Sequence, residues 1–272
     1  MKMFYVGSFN EEVFIIKYFY MLDIIDITIP ELTGREKRKL YVYVPDMEGN
    51  FPVLYMFDGQ NVFLDEDATF GKSWGMLEYL EENNVPLIVA AVECNHHDEK
   101  SKTGGRLSEY SPFDFSDYEW GDIKGRGHIT MEFYSKQLKP YIDDNYPTKK
   151  ERKYTFIAGS SMGGLMTLYA LCKYNDVYSR GASLSPSVGF SKYRILEMID
   201  EADFGKDTIL YMDYGQQELK YRDSKYIYGE VSSALIRKNV LLDSRIVPKG
   251  KHNEASWQKA IPFFMKTLFY NL

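Results

Sequence analysis

The sequence predicts an α/β fold in which a mostly parallel sheet carries helices on both faces. From residue 52 onwards, apolar runs of strand length alternate with longer segments of helical periodicity, which is typical of a parallel sheet with crossover helices. Before them, 24–29 and 39–44 each alternate apolar and polar residues on either side of a turn at Thr33 and Gly34. This pattern predicts an antiparallel hairpin at the amino-terminal edge of the sheet.

Taken in order, the strands are the apolar runs and the helices are the periodic segments between them. We predict strands at 52–57, 86–92, 154–158, 180–184, 208–212 and 240–247, and we expect the first three to be buried. We predict helices at 74–82 (with Ser73 as cap), 129–145, 162–174, 193–200, 221–238 and 253–270. The segment 93–127 mixes Gly, Ser, Asp and aromatic residues without a period, and we predict a long active-site loop there.

Composition narrows the class of protein. The 272 residues, 44% hydrophobic and 26% charged, suit one large domain over 1–272. A formal net charge of −6 without a cluster of Lys or Arg argues against a nucleic-acid partner. The sequence has two cysteines, Cys94 and Cys172, which cannot form a zinc site alone. Cys172 falls in the apolar helix predicted at 162–174, and this position predicts a buried thiol. We therefore expect no cofactor and no metal.

The amino-terminal extension, 1–20, is rich in aromatic residues but is interrupted by Asn10, Glu11, Glu12 and Lys17. It lacks the apolar core and the small-residue cleavage site of a signal peptide, and no segment approaches the length of a bilayer span. We expect a cytoplasmic protein with no membrane partner. The extension could pack on a neighbouring subunit, so a homo-oligomer remains open.

The candidate nucleophile lies at the junction of a predicted strand and a predicted helix, in Gly159-Ser160-Ser161-Met162-Gly163. This segment fits G-x-S-x-G, the sharp turn that exposes a serine at the top of the sheet in α/β hydrolases. The glycines avoid collisions with the neighbouring strand and helix, and the helix amino terminus brings N–H groups close to a developing oxyanion. An ordinary turn of small residues is the alternative.

A serine hydroxyl needs a base to remove its proton, and an acid orients that base. In this fold the base follows the nucleophile along the chain. His252 meets that condition, in the loop after the last predicted strand, whereas three histidines precede Ser161, namely His96, His97 and His128. The adjacent pair at 96 and 97 suggests a metal site, but neighbouring side chains point in different directions and no third ligand is placed.

The acid is expected in the loop after the strand at 208–212, where two carboxylates follow. Asp213 adjoins the strand end and could instead hold the loop through backbone hydrogen bonds. Glu218 lies beyond a glycine and has more room to reach His252. The residues alone leave the two candidates equal.

An acyl-transfer intermediate also needs two preorganised N–H donors for its oxyanion. The backbone N–H of Met162, directly after the candidate nucleophile, is one. The loop after the strand at 52–57 begins Asp58-Gly59-Gln60, and the backbone N–H of Gln60 is our candidate for the second.

Six blocks of sequence occur in an order that resembles one known family. They are Pro52-Val53-Leu54-Tyr55-Met56-Phe57-Asp58-Gly59-Gln60-Asn61, Lys72-Ser73-Trp74-Gly75, Arg106 with Glu109-Tyr110-Ser111-Pro112, Gly159-Ser160-Ser161-Met162-Gly163-Gly164, Ser185-Pro186-Ser187 and His252-Asn253-Glu254-Ala255-Ser256-Trp257. Together they resemble the putative-esterase family of α/β hydrolases. That family includes enterobactin-type siderophore esterases, feruloyl and acetyl-xylan esterases, S-formylglutathione hydrolase and antigen 85 mycolyltransferases. The resemblance extends roughly from Leu40 to the carboxyl terminus.

The resemblance implies an α/β-hydrolase fold and a role for each candidate. Ser161 would be the nucleophile, His252 the base and Glu218 the acid, with the amides of Gln60 and Met162 as oxyanion hole. It implies a serine carboxylesterase that hydrolyses small acyl or aryl esters through an acyl-enzyme. Alternatives are a siderophore trilactone esterase, a feruloyl or acetyl-xylan esterase on oligosaccharides and, last, a binding protein without catalysis.

Four further residues of the matching blocks are candidates for substrate binding. Trp74 could line the acyl side of the cleft or belong to the core. Arg106 could bind a substrate carboxylate or phenolate, or it could pair with a loop carboxylate such as Glu109. Asp58 and Ser187 complete the set.

Overall fold

The computed structural model describes residues 21–95, 105–220 and 222–272. The strands in these ranges are β1 Leu22–Thr28, β2 Lys37–Tyr43, β3 Val53–Met56, β4 Ile88–Val92, β5 Phe115–Asp117, β6 Gly121–Ile123, β7 Thr155–Ser160, β8 Arg180–Leu184, β9 Ile209–Gly215 and β10 Leu241–Val247. Eight of them form one sheet in the order β1-β2-β4-β3-β7-β8-β9-β10, and β5 pairs with β6 in a separate hairpin.

Helices connect most of these strands. They are α1 Pro30–Thr33, α2 Met76–Glu82, α3 Arg106–Glu109, α4 Gly127–Phe133, α5 Lys139–Asn145, α6 Met162–Lys173, α7 Lys192–Glu201, α8 Arg222–Arg237 and α9 Glu254–Leu268. A π-helical turn at Tyr134–Leu138 joins α4 to α5, so the predicted helix at 129–145 is one continuous helical segment. None of the helices in the described ranges is long and apolar enough to cross a membrane.

The pairing confirms the predicted fold class. β1 and β2 are antiparallel, β2 is antiparallel to β4, and every other pair in the large sheet is parallel. The amino-terminal hairpin therefore forms one edge of a mostly parallel sheet, as predicted. Its connection differs in detail, because the short helix α1 occupies most of the interval and Gly34, at φ 63°, follows its last residue.

The two faces of the sheet are buried in separate cores. Successive residues of a strand point to opposite faces, so Phe156 enters the core under α2 and α9 while Ile157 enters the core under α6 and α8. Both side chains are fully buried. Continuous apolar runs form these strands because each face has its own layer of helices, which leaves no solvent-exposed side for polar residues. Cys94 and Cys172 are both buried.

The segment 93–127 is not irregular throughout, contrary to our expectation. It contains α3 and the β5–β6 hairpin. Residues 96–104 lie outside the described residues, and with them the predictions for His96 and His97. The amino-terminal extension at 1–20 lies outside them as well.

Helix α2 also begins later than predicted. Gly75, with φ 66°, is the residue before it, so Trp74 and Ser73 precede the helix. The Ser73 hydroxyl donates to Asp65 at 2.7 Å and accepts from the Gly75 N–H at 3.2 Å. It therefore holds the turn before the helix rather than capping the first turn.

Candidate active site

The sequence-predicted site residues follow the carboxyl ends of neighbouring parallel strands. Because these ends meet at one edge of the sheet, residues far apart in sequence come together there. β3 is followed by Asp58 and Gln60, β7 by Ser161, β8 by Ser185 and Ser187, β9 by Glu218 and β10 by His252.

Ser161 lies on a strained turn. Its φ of 58° and ψ of −120° are outside the regions that residues with a side chain normally adopt. The turn is held by the Ser161 N–H, which donates to the Leu184 carbonyl at 2.9 Å. A Cβ at Gly159 would lie 2.7 Å from the Gly163 backbone, so the glycines of the motif are required by this close approach of strand and helix.

Three side chains form a continuous hydrogen-bonded chain at this edge. The Ser161 Oγ lies 2.9 Å from the His252 Nε2. The other ring nitrogen of His252, Nδ1, lies 2.6 Å from the Glu218 Oε2. The carboxylate is 11% exposed and the imidazole 46% exposed, so the acid is held inside the protein and the ring faces the cleft.

The protein keeps the Glu218 carboxylate charged. Burial raises the pKa of Glu218, but hydrogen bonds from His252, Ser185 and the Gly215 N–H outweigh that effect and leave the pKa below its usual value. The Ser185 hydroxyl and the Gly215 N–H each donate to Oε1 at 2.7 Å. Oε2 is thus left for His252, which fixes the direction of the imidazole.

Asp213 has a different environment. It is 1% exposed, accepts a hydrogen bond from the Tyr211 hydroxyl at 2.8 Å and faces the Ser185 N–H at 3.3 Å. Burial raises the pKa of Asp213 to about 7. Both carboxylate oxygens of Asp213 are therefore engaged, one by Tyr211 and one by Ser185. This agrees with the alternative that Asp213 holds the loop. The carboxylate that contacts His252 is that of Glu218.

Ser185 is a residue that sequence reasoning missed. It is 2% exposed and has a positive φ of 43°. Its hydroxyl donates to Glu218 and accepts from the Trp257 Nε1–H at 3.2 Å. Trp257 in turn packs edge-on to the His252 ring, with 5.2 Å between ring centroids. The only signal in the sequence is its place in a matching block directly after a buried strand.

Ser187 contacts the candidate nucleophile. Its Oγ lies 3.2 Å from the Ser161 Oγ, and its backbone N–H donates to the Ser161 carbonyl at 3.0 Å. The Ser187 hydroxyl is therefore within hydrogen-bond distance of the candidate nucleophile.

The two candidate oxyanion donors are backbone N–H groups at helix starts. Met162 is the first residue of α6 and Gln60 is the second of a short 3-10 helix, Gly59–Asn61, and N–H groups in a first turn have no acceptor within their own helix. The Gln60 side chain binds Cys94. Its Nε2 donates to the Cys94 Sγ at 3.2 Å, and its Oε1 accepts from the Cys94 N–H at 3.2 Å.

These residues surround a cleft of about 680 Å³. Its lining is Asp58, Gln60, Asn61, Thr69, Phe70, Cys94, Arg106, Ser160, Ser161, His252, Asn253, Glu254 and Trp257. The volume is in the range of small-molecule sites.

Arg106 lines the cleft, but its partner differs from the one we had considered. It makes a bidentate ion pair with Asp58, with Nε to Oδ1 at 2.6 Å and Nη2 to Oδ2 at 2.7 Å. Glu109 instead pairs with Arg38, and both of those side chains are only 2% exposed. Asp58 is therefore engaged by Arg106, which remains 25% exposed towards the cleft.

Trp74 does not line the cleft formed by the described residues. It is 3% exposed and packs in the core against Trp257 and Phe264, with ring centroids 5.9 Å and 6.3 Å away. Of the two positions considered for Trp74, the structure shows the core and not the wall of the cleft, with Trp257 packed beside it. The indole that lines the cleft belongs to Trp257.

Within the described ranges, no three His, Cys, Asp or Glu side chains gather as metal ligands would. The polar groups of the cleft can accept a serine proton, donate to an oxyanion and hold a charged substituent. The first two of these abilities, a base for the serine and donors for the oxyanion, are what acyl transfer requires.

A sequence model of one protein family, described as "Putative esterase", matches residues 33–268. The chain belongs to this esterase family. It is therefore a hydrolase of carboxylic esters, as the motif blocks had suggested, and its substrate is a small-molecule ester.

The chain is also similar to curated proteins and to solved structures. The uncharacterized protein YbbA of Bacillus subtilis strain 168 is 23% identical over 69% of this chain and 71% of its own length. The ferri-bacillibactin esterase BesA of the same strain is 24% identical over 61% of this chain and 59% of its own length. Among solved structures, the BES protein from Bacillus cereus superposes with a TM-score of 0.71 at 17% identity, over 97% of this chain and 99% of the other.

Proposed function

We propose that this esterase works through a Ser161–His252–Glu218 triad and a covalent acyl-enzyme. The observation that carries the proposal is the pair of contacts at His252, 2.9 Å to the Ser161 Oγ and 2.6 Å to the Glu218 Oε2. Both are hydrogen-bond distances: the first allows proton transfer from Ser161 to His252, and the second lets Glu218 orient the imidazole.

The reaction proceeds in two acyl transfers. Ser161 Oγ attacks the ester carbonyl while His252 Nε2 takes the hydroxyl proton, and the amides of Gln60 and Met162 donate to the oxyanion. The tetrahedral intermediate expels the alcohol, which leaves with the proton from His252. A water molecule, deprotonated by the same nitrogen, then attacks the acyl-enzyme, releases the carboxylic acid and restores Ser161.

Glu218 determines which nitrogen of His252 can act as the base. A neutral imidazole carries one N–H. The Glu218 carboxylate accepts a hydrogen bond from that group when the proton is on Nδ1, which leaves Nε2 as the acceptor facing Ser161. When Nε2 takes the serine proton, the buried carboxylate also stabilises the resulting imidazolium.

The substrate class that we propose is small acyl or aryl esters. The cleft of about 680 Å³ suits a molecule of that size. Arg106 is the cation of its wall, and its Nη1 group is not used in the bidentate pair with Asp58. A carboxylate or phenolate on the substrate would bind there.

A siderophore trilactone esterase is the second candidate. It is favoured by the similarity to BesA, which hydrolyses a ferri-siderophore by its name, and by the arginine in the cleft wall. Feruloyl or acetyl-xylan esters are the remaining candidates. Rates on a triscatecholate lactone, methyl ferulate and an acetylated xylo-oligosaccharide would separate these three.

Hydrolysis of p-nitrophenyl acetate and butyrate tests the central proposal. The wild-type protein should release p-nitrophenol, and Ser161→Ala should abolish the release with little change in thermal unfolding. A folded wild-type protein without activity on any ester of the panel would contradict the proposal. Labelling of Ser161 by a fluorophosphonate probe would exclude a binding protein without catalysis.

Four expectations about the whole protein accompany this proposal. A cytoplasmic location is tested by cell fractionation, and a homo-oligomer by light scattering on the full chain. The expectation of no nucleic-acid partner is tested by gel shift at low salt. A single domain over 1–272 predicts one calorimetric unfolding transition.

A further inference from the structure

Glu254 is a buried carboxylate in the wall of the cleft to which the mechanism above gives no task. It is 6% exposed and lines the cleft together with Ser161 and His252. It is the first residue of α9, but the helix is capped by its neighbour, because the Asn253 side chain accepts a hydrogen bond from the Ser256 N–H at 3.1 Å. The usual capping role at this helix terminus is therefore already filled.

The carboxylate of Glu254 lacks a partner from any other described residue. Its hydrogen bond is with its own backbone N–H, whereas a carboxylate can accept about four. The side chain is largely buried, but its carboxylate oxygens are not among the fully enclosed unpartnered polar atoms of the described residues, so they are open to the cleft. An acceptor in this state at a cleft wall is suited to a donor that arrives with a ligand.

The charged residues near Glu254 do not form an ion pair with its carboxylate. Asp58, His252 and Arg106 are near enough to act on it electrostatically, but the Arg106 Nε and Nη2 are already committed to Asp58. Burial raises the pKa of Glu254, and the nearby Asp58 carboxylate raises it further. The cleft thus has a cationic part at Arg106 and an acidic part at Glu254.

We propose that Glu254 is a substrate-binding residue that accepts a hydrogen bond from a hydroxyl or ammonium group next to the ester carbonyl. This inference rests on the proposed function, because it uses the carbonyl position set by Ser161 and the amide of Gln60. Asp58, whose charge acts on Glu254, lies two residues before Gln60, and we place the donor on the acyl side. The enzyme then prefers esters of hydroxy acids and amino acids to esters of plain alkanoic acids.

Three ethyl esters with one heavy-atom skeleton test the inference. Ethyl lactate presents a hydroxyl, ethyl alaninate an ammonium group, and ethyl isobutyrate a methyl group at the same carbon. Each kcat/KM is divided by the rate constant for hydroxide-catalysed hydrolysis of that ester, which removes intrinsic reactivity. We expect the wild-type protein to favour the first two by about tenfold to a hundredfold, since one buried hydrogen bond to a charged group is gained.

Two variants separate the hydrogen bond from the charge. Glu254→Gln keeps an acceptor oxygen, so the preference for ethyl lactate should largely persist while that for ethyl alaninate falls about tenfold or more. Glu254→Met has similar length without a strong acceptor, and both preferences should disappear. Glu78→Gln is the control, because Glu78 is an exposed residue in the first turn of α2 and its loss should leave every ratio unchanged.

Binding to the Ser161→Ala protein, measured by calorimetry, repeats the comparison without turnover. Tighter binding of ethyl lactate and ethyl alaninate than of ethyl isobutyrate, lost in the double variant with Glu254→Met, would support the inference whether or not the wild type hydrolyses esters. Unchanged ratios in Glu254→Met together with a lower Tm would overturn it, because Glu254 would then only stabilise α9. Failure of hydrolysis with intact binding selectivity would contradict the proposed function instead.

Discussion

At the scale of single residues, the candidate site depends on how each side chain is held by a second one. His252 is 46% exposed and is oriented by Glu218, which is 11% exposed. Glu218 is in turn held by Ser185, and Ser185 by Trp257. The exposed base therefore has its position determined by a buried set of hydrogen bonds, and this arrangement is open to test one residue at a time.

Replacing the acid should show whether it orients the base. In Glu218→Gln the side-chain amide can donate to Nδ1, which favours the wrong tautomer of His252, and we expect kcat to fall by about 10⁴-fold, the effect of a comparable change in serine proteases. Asp213→Asn is the matched control on the neighbouring carboxylate, and its kcat should fall far less. Equal losses in steady-state kinetics on p-nitrophenyl butyrate would contradict the assignment.

Ser185 should behave as a positioning residue. Ser185→Ala removes one donor to the Glu218 Oε1, at 2.7 Å, and we expect kcat to fall about tenfold, the equivalent of about 1.4 kcal/mol, with KM little changed. Ser185→Thr keeps the hydroxyl and should recover part of the loss. A rise in KM at constant kcat would instead mean that Ser185 contributes to substrate binding.

At the scale of elements, α3 is held by one buried ion pair. Arg38 on β2 donates to the Glu109 carboxylate at 2.8 Å, and the Asn95 N–H reaches the same oxygen at 3.2 Å. The helix is four residues long and could not persist without such contacts. It begins with Arg106, so the ion pair indirectly positions the cation of the cleft.

Breaking this pair should destabilise the protein and impair the site. Arg38→Met leaves the Glu109 carboxylate buried without its partner, and we expect a loss of about 3–5 kcal/mol in the free energy of unfolding, measured by urea denaturation. Removal of the exposed pair between Lys136 and Glu132, at 66% and 53% exposure, should cost less than about 1 kcal/mol. Comparable losses in the two variants would contradict this account of α3.

The long elements could be predicted from sequence because their patterns are local. The strand predicted at 180–184 is β8 to the residue, and α6 follows its glycine turn as expected. The short elements at 93–127 could not, since α3 and the β5–β6 hairpin depend on contacts such as the Ser108 hydroxyl with the Lys124 carbonyl at 2.6 Å. Such contacts join residues whose distance in space no sequence period encodes.

In the candidate site, too, some residues could be predicted from local sequence patterns and others depend on contacts between distant parts of the chain. Ser161 and His252 could be selected by motif and chain order, whereas the choice of Glu218 over Asp213 needed the family resemblance. Ser185 was missed, because its role depends on a hydroxyl between two loops and an indole of α9. The position of Trp74 stayed open between cleft and core for a related reason, since a buried tryptophan and a cleft tryptophan have the same sequence signature.

At the scale of the whole molecule, one buried carboxylate should influence the pH dependence of stability. Asp213 has a pKa of about 7 against an ordinary 3.8, because burial opposes its ionisation. Between these values the folded state binds more protons at this site than the unfolded state, so this group lowers the free energy of unfolding as pH rises through that window.

The Asp213→Asn variant tests this effect. It cannot ionise, so the difference in unfolding free energy between variant and wild type should grow by a few kcal/mol in favour of the variant from about pH 4 to pH 7. Urea denaturation at several pH values measures it. A constant difference across the window would mean that Asp213 has the same pKa in the folded and unfolded states.

The central claim is that Ser161 carries the acyl group, and trapping the acyl-enzyme tests it most directly. The protein is mixed with p-nitrophenyl butyrate, quenched in acid within the first turnover and digested for mass spectrometry. We predict the mass of one butyryl group on the peptide that contains Ser161, and none in Ser161→Ala. A butyryl group on another residue, or turnover of the ester with Ser161 replaced, would contradict the account.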